Sequence, residues 1–260
     1  MDNRTKQAKI KYEGNLFETN NGGLVKVLSW NSSSDIDVVF INTGYISKVK
    51  FGNLCQGTVK DHSIPSTYGV GIVGETVRSM STERKYLYGV WVKMLERCYC
   101  EKAQFKNPTY KGCTVSDNFK NFSYFHDWCI KQIGFNQTDA NGHQFSLDKD
   151  ILFKGNKVYS EDTCCFVPRE INNLLLTSKK TRGSYLIGVY KKAQSTKYRA
   201  EVRRNGKGHC LGSFNTEIEA FHAYKHAKEA YIKEVANKWK GQIDPKVYDV
   251  LVSYEVDIND

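Results

Sequence analysis

From Lys9 to about Val73 the chain alternates apolar and polar residues in short runs, among them Gly14-Asn15-Leu16-Phe17-Glu18-Thr19, Leu24-Val25-Lys26-Val27-Leu28 and Ile36-Asp37-Val38-Val39-Phe40. Asn20-Asn21-Gly22-Gly23 between two of them is hairpin chemistry, so a β-rich module or small β-barrel is expected. The period then lengthens. Leu87, Trp91, Met94, Leu95 and Cys98 fall on one face of a helix, and a loop with a short strand follows over 107–115. A second helix is expected from about Asp117, burying Phe122, Phe125 and Cys129. Alternation returns in Phe145–Ile151. Lys154-Gly155-Asn156-Lys157 makes a turn, and Thr163–Val167 reads as a strand running into a helix start after Pro168.

A different pattern begins at Gly183. Leu186–Lys192, Lys197–Arg204 and His209–Phe214 read as three strands, the last two joined by Asn205-Gly206. Thr216-Glu217-Ile218-Glu219 is a capping box, in which hydroxyl and carboxylate satisfy the free amides of a helix start. Ala220, Tyr224, Ala227, Tyr231 and Val235 give that helix a stripe to lay across the sheet. The expected fold is α+β and multidomain. It has a β-rich N-terminal module (1–77), a ββα core with flanking helices (78–182), a three-stranded antiparallel sheet plus helix (183–240) and an acidic tail (241–260). A linker rich in Ser, Thr and Arg, Thr76 to Arg84, joins the first two.

Charge sharpens this division. The net charge is +10, and residues 179–240 hold fifteen Lys and Arg against five Asp and Glu, while the last twenty residues hold five acids and one lysine. A basic domain beside an acidic tail is the electrostatic outline of a nucleic-acid binder, because phosphate contacts supply most non-specific affinity. No apolar run is long enough to span a bilayer, and Met1–Gln7 lacks the apolar core of a signal peptide. A cytosolic protein with no membrane partner is therefore expected, its eight cysteines reduced.

Several chemistries are disfavoured. The glycines of Tyr68-Gly69-Val70-Gly71-Ile72-Val73-Gly74 lack the Gly-Lys-Ser/Thr ending of a phosphate loop, so they read as turn glycines. Cys98, Cys100, Cys113, Cys164 and Cys165 offer no two matched Cys-x2-Cys pairs, and adjacent cysteines share one tetrahedral ion poorly, so the spacing speaks against structural zinc. A catalytic Cys–His pair using His126 or His143 has no local support. Cysteine as a small buried hydrophobe is the expectation.

Trp91, Met94, Arg97-Cys98-Tyr99, Tyr110-Lys111-Gly112, Phe122, Phe125, Trp128, Leu147-Asp148 and Tyr159-Ser160, spanning roughly Tyr86 to Leu176, closely resemble a group of phage HNH-like proteins. The order strand, loop, strand, helix resembles the ββα-metal (His-Me finger, HNH) motif of phage homing endonucleases. Asn42-Thr43-Gly44-Tyr45 and Tyr68–Gly74 loosely resemble N-terminal modules attached to such proteins. The resemblance implies catalytic positions at Asp148, Lys149 and Asn156, and Mg²⁺ or Mn²⁺ held by Asp148 with Asn172 or Asn173. The family's first strand ends in Asp-His, the histidine activating water; here the pair is Asp148-Lys149. His143, six residues earlier, is an alternative base that a regular strand would place on the same face.

Gly188-Val189, Ala200-Glu201-Val202-Arg203, Leu211-Gly212-x-Phe214 and Glu219-Ala220-x-x-Ala223-Tyr224 resemble the APETALA/ethylene-response-factor type DNA-binding domain, which lays its sheet in the major groove of duplex DNA. The resemblance implies a DNA-binding set of Tyr190, Lys192, Arg199, Glu201, Arg203 and Arg204. Tyr190 and Lys192 stand where that family has arginines. Lysine brings charge without the bidentate fork that arginine offers guanine. Two functions stay open. One is a site-directed duplex-DNA-binding protein of homing-endonuclease type with metal-dependent nicking or cleavage. The other is a DNA-binding protein without cleavage that regulates transcription or inhibits another nucleic-acid enzyme.

Overall fold

The computed structural model describes residues 3–21, 23–74, 80–176 and 184–260. Gly22 of the first hairpin turn, much of the expected linker and Gly183 lie outside the described residues. The chain divides into two compact units, one formed by residues up to Lys111 with Asp117–His126, the other by Gly112–Ser116 with Asp127–Asp260.

In the first unit an unforeseen helix, α1 (Asn3–Tyr12), precedes strands β1 (Leu16–Glu18), β2 (Leu24–Ser32), β3 (Asp35–Phe40) and β4 (Ile46–Val49). The strands form an antiparallel meander in the order β1-β2-β3-β4, an open sheet and not a closed barrel. Period-two alternation sends Val25, Val27 and Trp30 of β2 and Ile36, Val38 and Phe40 of β3 into one core. Tyr12 of α1 stacks on Trp30 at 4.9 Å, and Phe51, opening α2 (Phe51–Cys55), meets that indole edge-on at 5.0 Å. Since α1 itself buries no residue fully, no apolar stripe marked it in the sequence.

Helix α3 (Thr82–Tyr99) starts at Ser81, whose hydroxyl accepts from the Arg84 amide, and buries Leu87, Trp91, Met94, Leu95 and Cys98 as its periodicity requires. The Trp91 indole N–H would be costly if left unpaired; it donates to the Phe119 carbonyl at 2.7 Å. Gly71 lies so close to the Trp91 ring that an added Cβ would meet it at 2.7 Å, which makes it a packing glycine. A short α4 (Glu101–Lys106) follows. The next helix, α5 (Phe122–Cys129), starts later than Asp117 because a 3-10 turn over Asn118–Lys120 intervenes, and the Asn121 side chain then accepts from the Tyr124 amide.

The second unit contains β5 (Thr114–Val115) parallel to β7 (Val158–Tyr159), and β6 (Ser146–Asp148) antiparallel to β8 (Cys165–Val167). Helix α6 (Arg169–Leu174) follows β8 directly. Beyond it come β9 (Val189–Lys191), β10 (Tyr198–Arg204) and β11 (Lys207–Phe214), antiparallel in the order β11-β10-β9. Across them lies α7 (Glu217–Trp239), opened by the Thr216–Glu219 capping box. Ala200, Val202, Ala220, Phe221 and Tyr224 form the core between sheet and helix. The expected acidic tail is folded: α8 (Pro245–Val252), capped by Asp244, buries Val247 and Leu251, and Val256 joins the sheet–helix core. The fold is thus mixed α and β, with a four-stranded antiparallel sheet near the N-terminus and a three-stranded sheet with its helix near the C-terminus.

Candidate functional site

Asp148 ends β6 opposite Cys165 of β8. Its Oδ1 accepts from the amides of Asp150 at 2.8 Å and Ile151 at 2.9 Å, the side-chain-to-backbone closure that turns the chain out of the strand. Burial, and next the neighbouring Asp150 carboxyl, push its pKa up to about 6, while the two backbone amides pull the other way. A carboxylate penalised in this way is relieved by a cation, and the oxygens of Asp148 and of an Asn172 or Asn173 amide are the hard donors that Mg²⁺ or Mn²⁺ takes. On α6, Asn172 is half-buried and Asn173 exposed, and α6 packs against β6. Among the described residues no group of three or more His, Cys, Asp and Glu is arranged to hold a metal ion. An ion at Asp148 would draw most of its shell from water and phosphate, as Mg²⁺ does at phosphoryl sites.

Lys149 is 6% exposed. Its ammonium donates to Asp150 Oδ2 at 3.0 Å and to the Asn156 carbonyl at 2.9 Å, and it lies 5.8 Å from the centre of the Tyr159 ring. These are the bonds of a charged donor, and a general base needs a free lone pair. Asn156 answers in the other direction: its Nδ2 donates to the Lys149 carbonyl at 2.6 Å and to the Val158 carbonyl at 2.7 Å. The turn from Lys149 to Val158 is therefore laced shut by two side chains, and Asp148, Lys149 and Asn156 are brought together. His143 is not brought to them by a strand. It sits exposed in a turn, its Nδ1 3.2 Å from Asp139 Oδ2, and β6 begins only at Ser146. The expectation that His143 shares a strand face with Lys149 is therefore corrected.

Burial raises the thiols of Cys129, Cys164 and Cys165, the Cys164 thiol to about 12, so these side chains behave as small hydrophobes.

On the C-terminal sheet, Ala200 and Val202 face α7, so Arg199, Glu201 and Arg203 face away from it. Cross-strand register sets Arg199 between Tyr190 and Ser213, Glu201 opposite Cys210 and Arg203 opposite Gly208. The Glu201 carboxylate lies over Gly208, where an added Cβ would come within 2.6 Å of it. Asn205 and Gly206 take φ values of 51° and 77°, the left-handed pair that a tight hairpin turn needs. The Tyr231 hydroxyl bonds Asn205 Oδ1 at 3.2 Å and pins this tip to α7. Gly188 has φ 74° and meets the Tyr224 ring so closely that no side chain fits there.

Two members of the sequence-derived DNA-binding set fall elsewhere. Lys192 lies past the end of β9, exposed but outside the strand. Arg204 turns toward the helix side, its guanidinium 3.5 Å from Glu234 and 5.1 Å from the Tyr231 ring centre, because residues 203 and 204 of a strand point oppositely. The sequence reading also missed a joint inside the second unit. Glu170 of α6 receives the Trp239 indole and the Lys238 ammonium from the end of α7, and Trp239 meets Phe145 edge-on at 5.5 Å. Its one signal was an apolar residue at position 239, continuing the stripe beyond Val235.

No protein family, curated protein or solved structure was found to match this chain.

Proposed function

We propose that this chain is a site-directed duplex-DNA-binding protein, built in the manner of phage homing endonucleases, that reads DNA with the face of β9–β11 turned away from α7. The observation that carries the reading is the outward row of Arg199, Glu201 and Arg203, presented by the central strand of the sheet in the most basic part of the chain. Arginine supplies the fork for guanine O6 and N7, and a carboxylate accepts from cytosine N4, so this row has the chemistry of base reading as well as of phosphate attraction. Titrating salt against the binding of full-length protein to duplex DNA tests it. A steep fall in affinity as salt rises is expected, since each neutralised phosphate releases counterion. Binding that is absent, or insensitive to salt, would remove the reading.

For the ββα core the observation at Lys149 favours a protein that binds without cutting, acting as a regulator or as an inhibitor of another nucleic-acid enzyme. An ammonium that donates to Asp150 and to the Asn156 carbonyl stands where the resembled family activates water. The second reading, metal-dependent nicking, rests on Asp148. In it Asp148 and Asn172 or Asn173 hold Mg²⁺ or Mn²⁺, and the bound ion would polarise the scissile phosphate. Incubating bound supercoiled plasmid with each metal separates the two readings by the appearance or absence of nicked circles.

A further inference from the structure

Phe105 is 89% exposed, the highest value for a large apolar side chain among the described residues. It belongs to α4, none of whose residues is buried. The helix is nonetheless held firmly. The Gln104 side chain donates to the carbonyls of Cys98 at 2.7 Å and Arg97 at 3.3 Å, closing the end of α3 and fixing the side from which α4 projects. Three- and four-residue spacing sets Lys102 and Glu101 beside Phe105, with Lys106 one turn on from Lys102, all four exposed. Both lysines are exposed, and neither makes an ion pair among the described residues. Immediately afterwards Asn107-Pro108 stops the helix, and the Arg97 guanidinium stacks on Tyr110 at 5.1 Å.

An exposed apolar ring on a short helix that also carries two exposed lysines fits a stack of base pairs, apolar between its steps and bounded by phosphates. Proteins that kink duplex DNA insert such apolar wedges between base steps while cations hold the flanking backbone. We propose that Phe105 is a wedge of this kind, entering a base step with Lys102 and Lys106 on the adjacent phosphates. This inference rests on the duplex-DNA reading above and adds to it a second contact, one that deforms the DNA without reading its sequence.

The test uses full-length protein. Binding to a labelled duplex is measured by fluorescence anisotropy, and unwinding by relaxing closed plasmid with a topoisomerase in the protein's presence. Wild type should shift the topoisomer distribution. Phe105→Ala should bind roughly five- to thirtyfold more weakly, and should not unwind even at concentrations that restore saturation. Phe105→Leu, which keeps an apolar wedge, should retain most of the unwinding. Both variants should melt with wild type, since Phe105 packs in no core. The inference is overturned if wild type binds without unwinding, or if Phe105→Ala binds and unwinds like wild type; in either case the DNA reading survives. Absence of duplex binding by wild type sinks both together.

Discussion

Glu170 accepts a hydrogen bond from the Trp239 indole at 2.8 Å, joining the helix that follows β8 to the last residue of the helix that covers the C-terminal sheet. The Lys238 ammonium adds a 2.6 Å contact, but its side chain is 59% exposed, so solvent screens that pair and its share of the stability is small. The indole is the stronger part, because Trp239 is buried and its N–H has no water to replace the carboxylate. Glu170→Ala should destabilise the protein by about 1–3 kcal/mol, whereas Glu170→Gln, which keeps an acceptor oxygen, should cost less. Urea unfolding followed by tryptophan fluorescence measures both, and equal losses would show that the indole bond contributes nothing.

Asp148 gives a pH dependence whose sign is fixed by the direction of its shift. Burial and Asp150 hold its folded pKa up to about 6, so the fold favours the protonated acid. The resulting stabilisation is fully present below the unfolded value near 4 and is lost as pH climbs through about 6. Asp148→Asn keeps an Oδ1 acceptor for the Asp150 and Ile151 amides and removes the titration. At pH 8 it should be more stable than wild type by about 2 kcal/mol, with the difference vanishing near pH 4. If the carboxylate also binds Mg²⁺ or Mn²⁺, the ion should raise the melting temperature of wild type at pH 8 and leave Asp148→Asn unmoved.

Adjacent arginines on β10 should behave as opposites. Arg203 points away from α7, and Arg204 lies against Tyr231 and Glu234. Arg203→Ala should weaken DNA binding, relax sequence preference and leave the melting temperature near wild type. Arg204→Ala should leave binding close to wild type and lower stability by roughly 0.5–1 kcal/mol, because its ion pair is largely exposed and its stem covers an aromatic ring. Competition anisotropy with shuffled duplexes reads the first effect, and thermal unfolding the second. Equal binding losses in both variants would mean that the face of β10 turned away from α7 is not the one that meets DNA.

What the sequence disclosed and what it hid divide along physical lines. Strong periodicity was legible: the apolar face of α3 from Leu87 to Cys98, the Thr216–Glu219 capping box and the Asn205-Gly206 hairpin all appear where residue type demands them. Elements held mainly by contacts remote in sequence were not. In α8 only two residues are buried, Val247 and Leu251, and five acids around them made the segment read as an acidic tail although Asp244-Pro245 is a good helix start. Arg204 entered the DNA-binding set with its neighbours, whereas strand phase places its side chain on the helix side, against Tyr231 and Glu234. The laced turn at Lys149 was hidden because Lys149 to Asn156 is a tertiary closure with no period.

The folded C-terminal segment predicts that the basic domain cannot end at Lys240. Ile243, Val247, Leu251 and Val256 are all buried, each worth about 1.5–3 kcal/mol. The Lys225 ammonium donates to the Val256 carbonyl at 2.9 Å, and the Glu229 carboxylate accepts from its amide at 2.9 Å. Stopping the chain after Lys240 should lower the denaturant midpoint by a large fraction of a typical domain's stability and weaken DNA binding at physiological temperature. A truncated protein as stable as the full chain would mean that the segment packs without holding the fold.

Lys149 decides between the two functional readings. Its ammonium is almost wholly buried and satisfied by Asp150 and the Asn156 carbonyl, so Lys149→Met should leave that carbonyl without its donor and destabilise the turn by about 1–3 kcal/mol. Lys149→His is the sharper variant. An imidazole returns a lone pair to the position next to Asp148, while Asn156 can still grip the backbone carbonyl of residue 149, which the substitution does not touch. If the core lacks only its base, Lys149→His should nick bound plasmid with Mg²⁺ or Mn²⁺, and Asp148→Ala in the same background should stop it while binding persists through the separate basic sheet. If wild type and Lys149→His both bind DNA and neither nicks it with either metal, the ββα core is a scaffold, and the protein acts by occupying DNA.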